Sequence, residues 1–219
     1  MSNNKLFISN NQYLYFASKL KFQNERFFYV ICNFVTLNNS KNNLLTAMKI
    51  IKCTPEYASQ ILDIFNDAIL NSTALYDYKP WTMDTMKVWF ETKAQHNFPV
   101  IGIVDDEGVL MGFGSYGQFR MRPAYKYTIE NSLYVHRDHR GKGLGKILLN
   151  EIISHATSQN FHSIIAVIDA SNEISLDLHR KAGFTQVGVF REVGYKFGRW
   201  LDAAFLQLNL ETPEMPEEG

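Results

Sequence analysis

The chain has 219 residues, 46% of them hydrophobic, and its 22 basic residues balance 22 acidic ones for a formal net charge of zero. The apolar content suffices for one sizeable core, and the charge balance argues against a general nucleic-acid or membrane-surface binder, which carries a basic excess. The two cysteines, Cys32 and Cys53, form neither a CxxC pair nor a zinc spacing; a reduced, cytoplasmic protein without a metal site is expected, and no apolar run approaches a membrane span.

Residues 1–47 are rich in Asn, Lys, Phe and Tyr and contain no Gly or Pro. The apolar stretch Phe27–Leu37 lies behind too long a polar lead for an ordinary signal peptide, and Asn38–Asn43 reads as a solvated linker. The segment reads as an N-terminal extension, either disordered and outside the native domain or a small added module. Met48 opens the domain, expected over 48–210, with a short strand to Lys52. Thr54 as N-cap and Pro55 at the first helical position then start a helix. That helix carries Ala58, Ile61, Leu62, Phe65 and Ile69 on one face.

Asn71–Pro80 reads as a loop with two tyrosines, and Thr82 caps a second helix with Met86, Trp89 and Phe90. Phe98–Asp105 and Val109–Phe119 flank Asp105-Asp106-Glu107-Gly108 as a hairpin. A loop with Arg120, Arg122 and Pro123 leads to a strand over Thr128–Val135. A long helix follows with Leu144, Ile147, Leu148, Ile152 and Ala156 at helical spacing. Ser163–Asp169 is a buried strand. Asn172 caps a helix with Ile174, Leu178 and Ala182, closed by Gly183. Phe184–Phe190 and Asp202–Leu210 are the last strands, and 211–219 is an acidic tail expected to be mobile. The order β-α-α-β-β-β-α-β-α-β-β predicts a mixed sheet with helices on both faces.

Arg140-Gly141-Lys142-Gly143-Leu144-Gly145 stands where a strand becomes a helix. Glycines allow a tight turn, the first-turn N–H groups can point at an anion, and Arg140, Lys142 and Lys146 add positive charge. This is a phosphate cradle. A Walker loop is excluded because Gly-x-x-x-x-Gly-Lys-Ser/Thr is absent, and a dinucleotide fingerprint would put Lys146 at its third glycine.

The stretch resembles Gln/Arg-x-x-Gly-x-Gly/Ala, the pyrophosphate loop of the GNAT superfamily of acyl-CoA-dependent N-acetyltransferases. The resemblance spans about Met48 to Leu210. Tyr127–Val135 with His136–Gly143, and Arg191–Asp202, are similar to the phosphinothricin and methionine sulfoximine acetyltransferase branch. The resemblance implies an α/β (α+β) fold with a mostly antiparallel mixed sheet, a central splayed parallel strand pair, and helices on both faces. It implies acetyl-CoA as co-substrate, held by Leu133, Tyr134 and Val135 along the splay, by Arg140, Gly141, Lys142, Gly143, Leu144, Gly145 and Lys146 at the pyrophosphate, and by Asn172. A backbone N–H near Leu133 or Tyr134 would stabilise the oxyanion.

By the same resemblance Glu130 is the base that frees the acceptor amine, and His179 the acid for the departing thiolate. Without the motif, Glu130 reads as an exposed strand carboxylate and His179 as a packing residue. Tyr76, Arg120, Arg122, Tyr125 and Lys196 are expected around an amino-acid acceptor, an arginine fork suiting its carboxylate; any one of these arginines can also simply face solvent. Lys196 and Trp200 fall in a motif that implies a homodimer, Trp200 reading equally as core. His136 and His139 read as solvated. Acetylation of a protein N-terminus or polyamine, and a non-catalytic acyl-CoA-binding module, are the alternatives.

Overall fold

The computed structural model describes residues 48–218 and, within 1–47, three strand segments. These are β1 (Lys5–Ile8), β2 (Tyr13–Ala17) and β3 (Asn33–Thr36), an antiparallel sheet in that order. Cys32 and the Asn38–Asn43 stretch lie outside the described residues, as does Phe27–Leu37 apart from β3.

The main sheet contains β4 (Lys49–Lys52), β5 (Val100–Val104), β6 (Leu110–Gln118), β7 (Thr128–Val135), β8 (Ser163–Asp169), β9 (Thr185–Lys196) and β10 (Arg199–Asn209). Its spatial order is β4-β5-β6-β7-β8-β10-β9. Every neighbouring pair is antiparallel except β7 and β8, so the expected mixed sheet with one parallel pair is what forms.

Helices cover both faces. On one, α1 (Ala58–Asn71) and α2 (Met83–Gln95) bury Ile61, Phe65, Met86 and Phe90 against Phe113. On the other, α3 (Leu144–Ser158) and α4 (Glu173–Lys181) cover Ile129, Ile164 and Leu206 with Leu148, Ile152 and Leu176. Thr82 caps α2 by accepting from the Thr85 N–H, and Asn172 caps α4 by accepting from the Ser175 N–H.

Three elements depart from the sequence reading. Thr54 and Pro55 open a 3-10 turn over Pro55–Tyr57, without a side-chain cap, and the α-helix begins at Ala58. The inward face of α4 carries Leu176 and His179, whereas Ile174 is 86% exposed. The last two strands are one long hairpin, turning at Phe197 and Gly198, both at positive φ. Hydrophobic spacing did not reveal this extension because much of β9 is exposed. Residues after Asn209 pass the starts of β8 and β7: the Thr212 hydroxyl donates to the Phe161 carbonyl, and the Glu217 N–H donates to the Tyr127 hydroxyl.

Candidate active site

β7 is paired on both edges only over Thr128–Glu130, which faces Ser163–Ile165 of β8. Beyond Glu130 the two strands diverge and the β8 side of β7 is open. The Phe119 N–H donates to the Thr128 carbonyl and the His136 N–H to the Met111 carbonyl, so even-numbered residues of β7 direct their backbone groups to β6. Asn131, Leu133 and Val135 therefore turn theirs to the gap, and Tyr134 does not. The strand's alternation also divides side chains: Tyr134 packs on Phe65 and Phe113 beneath α1 and α2, while Leu133 and Val135 pack with α3.

The phosphate-loop candidates follow immediately. Gly141 and Gly143 have φ of +76° and +79°, where a side chain would be strained. The N–H groups of Gly141 to Gly145 take no acceptor among the described residues. A Cβ on Gly145 would come 3.2 Å from Leu178 Cδ2, so glycine lets α3 begin close against α4. Lys142 reaches His139 at 3.2 Å. Lys146 stands with Asn150, Leu178 and Lys181 around a cleft of about 260 Å³ between α3 and α4.

Arg140 is differently engaged. Its Nε donates to the Val135 carbonyl, and its guanidinium pairs with Asp67 of α1 at 3.0 Å. Asn172 is occupied in capping α4.

Glu130 stands half-buried on the α1/α2 face, opposite Gly117 of β6. Burial pushes its carboxyl up from the ordinary value and the nearby Arg120 charge partly offsets this. Arg120 itself stacks over Phe119, 4.4 Å from the ring centroid. Tyr125 meets Phe119 edge-on, while Arg122 opens the 3-10 turn Pro123–Tyr125 and is exposed.

His179 lies on the opposite face, buried at 3% exposure. Its Nδ1 is 2.8 Å from the Ser175 carbonyl and its Nε2 is 3.0 Å from Asn131 Nδ2. A carbonyl only accepts, so Nδ1 carries the proton and Nε2 accepts from Asn131. Burial lowers the imidazole pKa, the Ser175 bond opposing it; the ring is neutral near pH 7.

Tyr76 packs over Gly194 of β9, where a Cβ would come 2.6 Å from the ring. Lys196 is buried, and its ammonium donates to the carbonyls of Ser72 at 2.9 Å and Leu75 at 2.6 Å. Tyr78 donates to the Tyr195 carbonyl. The β9–β10 hairpin thus grips the loop that carries Tyr76, and the lysine charge is spent on that loop's backbone.

Sequence reasoning missed Asn131 and Asp67. Asn131 adjoins Glu130 in the motif, but only the fold turns it toward His179. Asp67 sits on α1, far along the chain from the arginines it holds, and nothing local marks it.

Acetyl-CoA fits this frame. A pantetheine arm presents amide N–H and carbonyl groups, which an open strand edge can pair, and Asn131 Oδ1 is buried without a hydrogen-bond partner beside that edge. A buried acceptor left unpaired is costly unless a ligand N–H meets it. No cluster of metal-binding side chains occurs among the described residues.

Comparison with known proteins agrees. The Acetyltransferase (GNAT) family profile matches residues 66–184. The L-methionine sulfoximine/L-methionine sulfone acetyltransferase of Pseudomonas aeruginosa is 42% identical over 151 residues, covering 69% of this chain and 88% of that protein. The phosphinothricin N-acetyltransferase of Streptomyces viridochromogenes is 34% identical over 158 residues, covering 71% and 84%. A GNAT superfamily phosphinothricin acetyltransferase from Sinorhizobium meliloti, solved with acetyl-CoA, superposes with a TM-score of 0.75 at 34% identity, covering 78% of this chain and 94% of that one. The open strand edge, the unpaired loop amides and these relatives together make the chain a member of the GNAT acetyltransferase family, an acetyl-CoA-dependent N-acetyltransferase.

Proposed function

We propose that the enzyme acetylates the amino group of a small amino acid bearing a tetrahedral sulfur or phosphorus end group, of the methionine sulfoximine, methionine sulfone or phosphinothricin type. The observation that carries this reading is Glu130, half-buried beside the open edge of β7 with Arg120 as its charged neighbour. The named activities of the relatives supply the substrate class.

Acetyl-CoA supplies a thioester whose acyl carbon a free amine can attack. The loop amides of Gly141 to Gly145, with Lys142 and Lys146, hold the diphosphate end. The Leu133 N–H faces the gap and stabilises the developing negative charge on the carbonyl oxygen, a contribution typically of ~3 kcal/mol. Glu130 takes a proton from the acceptor ammonium, directly or through a water, so that attack proceeds in a ternary complex. Burial raises its pKa and so makes it a better base, and the Arg120 charge partly offsets that rise. Arg120 also offers a fork to the acceptor carboxylate, and Tyr76 closes over the substrate. His179, neutral and bonded at both nitrogens, serves by fixing Asn131 at the open edge. Collapse of the tetrahedral adduct breaks the C–S bond, and the leaving thiolate takes the surplus proton of the acylated nitrogen; delivery from His179 instead requires Nε2 to give up its Asn131 bond.

Thiol release from acetyl-CoA with methionine sulfone as acceptor tests the assignment. Glu130→Gln is expected to lower kcat by about 10²–10⁴-fold with both KM values little changed; undiminished turnover would remove Glu130 from the mechanism. A polyamine or protein N-terminus as acceptor is disfavoured by the Arg120 cation beside Glu130, and the same assay with spermidine and peptides measures that preference.

We further propose a cytoplasmic homodimer through the β9–β10 hairpin. Val187, Phe190, Val193, Tyr195, Phe197 and Trp200 are exposed along it, and such a patch on one protomer points to an interface. Light scattering is expected to give twice the chain mass for the native protein and the single mass for Trp200→Glu.

A further inference from the structure

The loop before the glycines carries two arginines, and both are held by one carboxylate on another element. Asp67 of α1 pairs through Oδ1 with Arg137 at 3.2 Å and through Oδ2 with Arg140 at 3.0 Å. Its side chain is only 11% exposed, against 61% and 56% for the arginines. Asn71, one turn along α1, donates to Oδ1 at 3.0 Å. These bonds hold the Asp67 pKa below its ordinary value against the desolvation that burial imposes. Arg140 is fixed at its other end, where Nε donates to the Val135 carbonyl. A continuous chain of polar contacts therefore runs from the end of β7 through Arg140 and Asp67 to Arg137, closing the segment 136–140 onto α1.

We propose that Asp67 is a positioning residue for acetyl-CoA: by clamping Arg137 and Arg140 it sets the path of the backbone that presents the Gly141–Gly145 amides. The inference rests on the reading of those amides as the seat of the CoA diphosphate. Two effects of removing the carboxylate oppose each other. Losing a negative charge makes the loop more attractive to an anion. Losing the anchor leaves a glycine-containing turn to be ordered when the ligand binds. The guanidiniums are more than half exposed, so solvent and salt screen the first effect. The bonds to a nearly buried carboxylate are charge-assisted and shape the free protein. The second effect wins, and donor affinity falls.

Asp67 stands one turn before the end of α1, which runs on into the loop that carries Tyr76. Its action is nonetheless confined to the donor: the acceptor loop has its own anchors in Lys196 and Tyr195.

Calorimetry with CoA and steady-state kinetics at moderate salt decide the matter. Asp67→Asn is expected to raise the CoA Kd and acetyl-CoA KM about three- to tenfold while kcat and acceptor KM stay within about twofold. Asp67→Glu, which keeps the charge, recovers part of the loss. Arg137→Gln, a substitution at an exposed side chain, is expected to weaken CoA comparably, and combining it with Asp67→Asn adds little further. CoA binding by Asp67→Asn as tight as native or tighter overturns the proposal. Should that variant not fold, native-like binding by Arg137→Gln overturns it instead. Gly143→Val separates the two layers: if it weakens CoA and Asp67→Asn does not, only the role of Asp67 fails. If Gly143→Val leaves CoA binding unchanged, the loop reading fails and takes this inference with it.

Discussion

The donor and acceptor regions proposed for this enzyme are built by different means. The donor region is a single run of chain, Leu133 to Lys146, and its tools are backbone: an unpaired strand edge, two glycines at positive φ and the N–H groups that open α3. The proposed acceptor region is an assembly of side chains from distant places: Tyr76 between α1 and α2, Arg120 after β6, Glu130 on β7 and the hairpin residues Gly194 and Lys196. It coheres through long-range bonds, such as those from Lys196 to Ser72 and Leu75. A donor common to a whole family can be held by backbone, which tolerates sequence change. Acceptor choice needs side chains, and side chains need anchors.

Glu130 lies where the two regions meet, so the largest effect belongs to Glu130→Gln, which strikes turnover rather than either affinity. Gly143→Val is next and tests the donor region alone. Its Cβ would meet no atom within 4 Å, so the whole penalty is backbone strain at φ +79°. A strain of about 1–3 kcal/mol, relieved when the free loop relaxes away from the binding conformation, predicts an acetyl-CoA KM raised about five- to 150-fold, measured in the same thiol assay with the acceptor KM unchanged.

Lys196→Met is the counterpart on the acceptor side. It leaves two carbonyls without their ammonium and frees the Tyr76 loop, and the acceptor KM is expected to rise about tenfold with that for acetyl-CoA unmoved. An equal rise in both would show that the regions are not separable.

The smallest effect is a shift in pH. Burial raises the Glu130 pKa and Arg120 lowers it. Arg120→Gln removes the lowering influence, so the base stays protonated to higher pH. The acidic limb of the kcat/KM profile for acetyl-CoA is expected to move upward, and a downward move would show that Arg120 does not face Glu130.

The sequence made the donor region legible and left much of the acceptor region to resemblance. Tyr127–Val135 and the glycine loop could be read because strand, turn and helix start are consecutive, and their chemistry is that of the backbone. Gly141, Gly143 and Gly145 each proved to have a local reason, either positive φ or close helix packing. Lys196 illustrates the limit. The family resemblance placed it by the substrate, and the fold directs its ammonium to two loop carbonyls. Arg140, assigned to the pyrophosphate by its place in the loop, has Asp67 as its direct partner.

What the sequence determined by itself was the order of elements, the parallel strand pair's flanking motif and the family. The order of elements depends on periodicity and on turn chemistry, which act over a few residues; the family came from the resemblance of the motifs. Tertiary structure alone decided which carboxylate faces which guanidinium, that His179 meets Asn131 and the Ser175 carbonyl, and how far the last hairpin extends. Such choices follow from burial and from partners many tens of residues apart. Desolvation and long-range hydrogen bonds have no periodic signature in the chain, so they become readable only once the strands are in register.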